Sequence, residues 1–235
     1  MAPTLIERRD PLTQAEGVVQ GYAQTARRWP AQPLQRRPQT AAELSGPSAL
    51  AQRLAGGQPI AASSGDIAGR GEKRAIGQLM HLRVRVVDED GVPLAGMPVE
   101  IWHCNAAGKY IHPNDDHDAP RDPNFYGAAR LLTGDGGLVE LRSIKPAAYP
   151  VPDTAGWWRP PHVHFSVWGR VWLSRLVTQM FFPGEPLNES DAILNAVRDP
   201  AARARCIARL APSTGNALVF EHQIVVRGRK AAAPM

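Results

Sequence analysis

His162-Val163-His164 opens a run to Trp168 in which side chains alternate as on a strand. With a period of two, His162, His164 and Ser166 share one face and Val163, Phe165 and Val167 the other. Two imidazoles on one face are a recurrent way of offering two nitrogens to one metal ion. Arg159-Pro160-Pro161 precedes them and cannot be helical, because each proline fixes its own φ and pushes the residue before it toward extended geometry. Tyr110 and Tyr149 stand at the edges of other expected strands. Taken singly, each is an ordinary residue: a tyrosine at a strand end packs its ring and wets its hydroxyl, and a lone histidine is hydrogen-bonded structure.

Taken together, the four specify a metal by their chemistry. A phenol binds metal well only after losing a proton with a pKa near 10, so a tyrosine ligand calls for a hard, strong Lewis acid such as Fe(III). Zinc would recruit a third histidine, a cysteine or a carboxylate, and only Asp153 lies close in sequence to the pair. A zinc hydrolase built on the histidine pair therefore stays open but lacks a typical third ligand.

The elements that must hold these groups are short strands. Leu82, Val84 and Val86 alternate with Arg83, Arg85 and Val87, followed by a turn at Asp90-Gly91. Val99 to Cys104 is a second strand, running into Asn105-Ala106-Ala107-Gly108. Ala128 to Thr133 and Leu138 to Ile144 flank Gly134-Asp135-Gly136-Gly137 and read as a hairpin. Trp172 to Phe182 and Ala217 to Val226 complete the set. Helices are expected at Asp191 to Val197 and at Pro200 to Leu210, the second with Asp199 as N-cap and Pro200 in its first turn. Regular short strands with few helices predict an all-β, sandwich or barrel-like body. The acidic loop from Ile111 to Tyr126 lacks the glycine and glutamate spacing of a calcium loop and reads as solvated.

The chain has 235 residues, with 22 prolines and 21 glycines, which favours turns over long helices. Residues 1–75, rich in Pro, Ala, Arg and Gln, read as an N-terminal arm laid on the body or on a partner chain; 76–230 form the body and 231–235 a tail. No stretch is apolar enough to span a membrane, and the first ten residues lack the apolar core of a secretion signal. Cys104 and Cys206 lie far apart and read as reduced thiols, so a cytoplasmic location is expected. The net charge of +5 is scattered rather than striped, which argues against nucleic acid and fits the attraction of small anions.

Tyr110, Tyr149 within Lys145-Pro146-Ala147-Ala148-Tyr149-Pro150, and Trp158-Arg159-Pro160-Pro161-His162-Val163-His164-Phe165 resemble the signature of the intradiol ring-cleavage dioxygenases, above all their protocatechuate-cleaving, iron-bearing chains. The likeness runs from about Gly91 to Arg229 and takes in Asp122-Pro123-Asn124-Phe125, Thr178-Gln179 and Val226-Arg227-Gly228. It implies that Tyr110, Tyr149, His162 and His164 bind Fe(III), with Tyr149 the tyrosinate displaced by substrate. It further implies that Arg159 stabilises negative charge beside the reacting ring, that Gln179 bonds the solvent ligand, and that Ile193 lines the ring pocket. Tyr22 of the arm would approach the substrate carboxylate. The implied reaction opens a catechol between its hydroxyl-bearing carbons with O2, protocatechuate giving 3-carboxy-cis,cis-muconate in aromatic catabolism through the beta-ketoadipate pathway. The implied partner is an α-type chain in a hetero-oligomer, a homo-oligomer being the other arrangement. One position departs from the pattern: Val151 stands where protocatechuate-cleaving members carry tryptophan, which widens the pocket toward differently substituted catechols. A non-catalytic sandwich module is the remaining alternative; it predicts missing ligands, and all four are present.

Overall fold

The computed structural model describes residues 64–152, 154, 156–168, 175–213 and 215–226. Tyr22 and the rest of 1–63, Asp153, 172–174 and the tail lie outside them. The elements in chain order are β1 (Gly69–Arg70), β2 (Lys73–Arg74), β3 (Leu79–Val87), β4 (Pro98–Trp102), β5 (Ala128–Leu132), β6 (Leu138–Ile144), β7 (Tyr149–Pro150), β8 (Trp158–Arg159), β9 (His162–Trp168), β10 (Arg175–Phe181), α1 (Ala192–Asn195), α2 (Pro200–Arg205), β11 (Arg209–Ala211) and β12 (Leu218–Val225).

Two four-stranded sheets carry the body, one in the order β10-β9-β4-β5 and the other β11-β12-β3-β6. All neighbours pair antiparallel except β12 with β3, which run parallel from Leu218↔Met80 to Val225↔Val87. Alternation decides which face each residue takes. Met80, Leu82, Val84 and Val86 of β3, with Leu141 and Phe220 beside them, meet Val99, Ile101, Val163, Phe165 and Val167 of the facing sheet in one buried cluster. Burial of a large aliphatic or aromatic side chain is worth roughly 1.5–3 kcal/mol, so this cluster is the chief support of the sandwich. On the outside of the second sheet, cross-strand register lines up Arg209, Glu221, Arg83 and Glu140 in a row of alternating charge. The arginines that give the chain its positive balance are thereby partly neutralised on the surface.

Two features depart from the sequence-based expectation. Gly134 to Gly137 does not close a hairpin between its flanking strands, because β5 pairs with β4 and β6 with β3, in different sheets. The turn is still tight: Gly134 N–H donates to Leu138 O, and a Cβ on Gly137 would stand 2.4 Å from Val86 O. The chain thus turns a corner of the sandwich where only glycine fits. The second helix, expected to reach Leu210, ends at Arg205, because Phe181 N–H donates to Cys206 O, Ala208 N–H donates to Phe181 O, and Arg209–Ala211 is taken up by β12. Strand pairing outcompetes a continued short helix. The described end of the arm is joined to the body: Asp66 bridges to Arg142, and Ile67 and Ala68 are buried in the core.

Candidate active site

The outer face of β9 is not solvated. His162 and Ser166 are buried there, and loops on either side bring Tyr110 and Tyr149 over it. His162 Nε2 and His164 Nε2 are 3.1 Å apart; Tyr110 Oη lies 3.1 Å from the latter and 3.5 Å from the former, and Tyr149 Oη lies 3.4 Å from His162 Nε2. Separations of this size match the edges that a coordination shell with bonds of about 2.1 Å would have. His162 Nδ1 is 2.7 Å from Pro160 O. That nitrogen donates its proton to the carbonyl, which leaves the lone pair on Nε2, the atom turned toward the other three. Pro160 therefore fixes the tautomer as well as the approach of the strand. Among the described residues no group of three or more His, Cys, Asp or Glu side chains is placed to hold a metal. The donor set is two imidazoles and two phenols, and its chemistry suits a hard trivalent ion better than zinc.

Each imidazole is walled by a cross-strand neighbour. Trp102 of β4, paired with His164, lies flat on its ring at a centroid distance of 5.0 Å and 4° between planes. Phe181 of β10, paired with His162, packs on that ring at 5.7 Å. Tyr110 is positioned from its own loop: Asp115 accepts from Tyr110 N–H at 2.7 Å and from the buried Lys109 ammonium at 3.3 Å. The acidic loop that reads as solvated in sequence thus has one carboxylate turned inward to anchor a phenol. Tyr149 comes from the two-residue pair of β7 with β8, where it faces Arg159. The turn Asn105 to Gly108 supports it from below: Gly108 has φ +82°, and a Cβ there would meet Ala148 O at 2.7 Å.

Burial shapes the electrostatics. Removal from water, with the Arg159 charge adding to it, pushes His164 down to about 3 and His162 well below its ordinary value, so both rings stay neutral and able to ligate. Burial, and after it the neighbouring Tyr149, raises the Tyr110 phenol well above 10, with Arg159 opposing. A cation among the four would reverse that balance. Burial likewise lifts the Cys104 thiol to about 12, and its sulfur donates to Ala147 O, so it is an inert core group.

Arg159 is 1% exposed, and its guanidinium is held by Asp191 and Gln179. Nε donates to Asp191 Oδ2 at 2.7 Å and Nη2 to Gln179 Oε1 at 2.7 Å. Burial disfavours the charge, but Asp191 and the adjoining Tyr149 more than offset this and raise its pKa. Its ion partner is therefore Asp191, buried with it. Val151 is buried two residues after Tyr149, and its N–H donates to Trp157 O, which puts Trp157 opposite it in the β7 and β8 hairpin. Ile193 is half-buried on α1, two residues beyond Asp191. Tyr22 lies outside the described residues. Sequence reasoning missed Trp102, Asp115 and Asp191; the one signal available was Asp191 as a helix cap, which says nothing of its second partner.

The family model described as "Dioxygenase" matches residues 57–228. The chain is 47% identical over 163 residues to the protocatechuate 3,4-dioxygenase beta chain of Burkholderia cepacia, covering 68% of each. It is 32% identical over 128 residues to hydroxyquinol 1,2-dioxygenase of Rhizobium sp. (strain MTP-10005), covering 50% of this chain and 42% of that one, so it spans less than half of that longer relative. Among solved structures, 3-chlorocatechol 1,2-dioxygenase from Rhodococcus opacus 1CP has the same fold, with a TM-score of 0.55 at 24% identity over 70% of this chain and 65% of that one. With a family model over most of its length and near-half identity to the beta chain, the chain belongs to the intradiol dioxygenases.

Proposed function

We propose that this chain is the iron-bearing chain of an intradiol dioxygenase that opens the ring of a catecholic acid, protocatechuate in the first instance, to a 3-carboxy-cis,cis-muconate. The family is one of non-haem iron enzymes. The observation that carries the reading is the meeting of two phenol oxygens and two imidazole nitrogens, each within 3.5 Å of another of the four. Tyr110, Tyr149, His162 and His164 would hold Fe(III), which when bound draws electron density from a catecholate and opens its ring carbon to O2. Tyr149, held as a phenolate when iron is bound, would take up a proton at Oη from a catechol hydroxyl as substrate enters. Arg159, neutralised along one edge by Asp191, keeps its remaining donors beside the ring, where negative charge develops; such a fixed donor in a dry site is worth several kcal/mol. Gln179 spends its carbonyl oxygen on Arg159, which frees its amide N–H groups to hold solvent. Val151 and Ile193 line the ring pocket, and Tyr22 meets the carboxylate.

The 47% identity to a beta chain supports an α-type partner completing the assembly, with residues 1–75 as the arm that reaches it. The two free thiols support a cytoplasmic location; among the described residues no helix is long and apolar enough to cross a membrane. A second reading, a differently substituted catechol, is favoured by Val151 in place of a flat aromatic wall. Oxygen uptake with a panel of catechols, alone and with a candidate α chain, decides between them. A muconate ultraviolet product, fastest from protocatechuate, is expected; a yellow semialdehyde would contradict the reaction, and preference for another catechol would move the substrate to the second reading.

A further inference from the structure

Asp191 is fully buried, and its two oxygens serve different partners. Oδ1 accepts from Leu194 N–H at 2.7 Å and so opens α1; Oδ2 accepts from Arg159 Nε at 2.7 Å, with Nη2 reaching Oδ1 at 3.5 Å. A cap needs only an oxygen, which serine, threonine or asparagine supplies equally well. The cap therefore leaves the charge unexplained, and a buried charge is the costly part unless it is paired. The pairing falls on a guanidinium with five donors in a rigid fork. Nε and Nη2 are engaged by Asp191 and Gln179, while no described residue accepts from Nη1. The fork is gripped along one edge only. Arg159 faces Tyr149 across the β7 and β8 pair, and its guanidinium lies 5.9 Å from the Phe181 ring that packs on His162, so the gripped group sits against the donor cluster.

We propose that Asp191 is a positioning residue: it clamps the Nε edge of Arg159 so that Nη1 is presented to the reacting ring, and it ties that orientation to the helix carrying Ile193. The proposal rests on the role given to Arg159 above. Asp191 touches neither the donor cluster nor, in this arrangement, the substrate; it acts through the arginine.

Asp191→Asn keeps a cap oxygen and the side-chain size and removes the charge. In the iron-free protein the Arg159 Nε–H, followed by nitrogen-15 NMR, is expected to exchange slowly in the natural chain and fast in D191N; fast exchange in the natural chain would overturn the clamp. In the iron-loaded enzyme D191N is expected to lower kcat about 100-fold with KM within about threefold, as loss of a group acting only in the transition state does. In an Arg159→Met background D191N is expected to change kcat by less than about twofold, since its only route of action is already gone. Asp199→Asn, the same change at the half-buried cap of α2, leaves the rate unaltered. If D191N does not fold, R159M and the double variant are compared, because the double variant leaves no buried charge unpaired: equal rates support the clamp and a further loss overturns it. A crippled R159M beside a fully active D191N would overturn the Asp191 proposal and leave the function of Arg159 standing. A fully active R159M would overturn the function itself.

Discussion

At the scale of the residue, two imidazoles on alternate positions of a strand face the same way only in their Cβ vectors; where their nitrogens point is set by what stands beside each ring. Pro160 O fixes the His162 tautomer, Phe181 covers its ring, and Trp102 lies flat against His164. Groups one contact removed from a metal ligand typically change affinity 10–100-fold when lost. Trp102→Leu, which frees the His164 ring to turn, is expected to weaken iron binding about tenfold in competition with a chelator, and an unchanged affinity would show that the indole does not orient the ligand. That His162 and His164 share a face was legible in sequence because a period of two is local information, whereas Tyr110 and Tyr149 are joined to them only by the family resemblance, since no spacing links the three segments. Trp102 and Asp191 were not legible, since one acts across a strand pair and the other from a distant helix; Asp115 lies only five residues from Tyr110 but acts within an irregular loop that has no period to read.

At the scale of the element, the site depends on short pieces joined at fixed register rather than on any long one. Tyr149 and Arg159 face each other in a pair of two-residue strands, and that pair leans on the turn at Gly108. A methyl group at Gly108 would strike Ala148 O at 2.7 Å and Tyr149 Cβ at 3.1 Å, on a backbone with φ +82°. Gly108→Ala is therefore expected to shift Tyr149 and cut turnover at least tenfold, beyond the roughly 1 kcal/mol that a left-handed φ costs alone. Gly91→Ala is the control, with φ +78° and open space around the new carbon; it should lower the melting temperature and leave the rate intact. Equal rates in the two variants would mean that the turn does not set the phenol. Strand existence and facing were legible from alternation, as in β3 and β9. Which strand pairs with which was not: the glycine run before Leu138 has the composition of a hairpin but turns a corner between sheets, and helix propensity after Pro200 yields at Arg205 to pairing with β12. Composition reports that the chain turns, while the direction is decided by the packing of the two sheets.

At the scale of the whole molecule, a sandwich with a dry apolar interior gives its outer faces rigid support, and one of these faces is used for chemistry. Val163, Phe165 and Val167 fill the core from the inner side of β9, so the strand that carries the histidines is also a central core strand. The opposite sheet turns a row of paired charges to solvent. This division was legible as a fold class from strand count and turn density, and the dioxygenase relatives share it. What no single-chain pattern carries is closure of the site, which draws on loops from three parts of the chain. The most direct measurement of the central claim is the visible and resonance Raman spectrum of the chain loaded with ferric iron. A burgundy protein with phenolate ring modes, altered when Tyr149 becomes phenylalanine, is the expected result; a colourless iron-loaded protein, or a spectrum indifferent to that change, would contradict it.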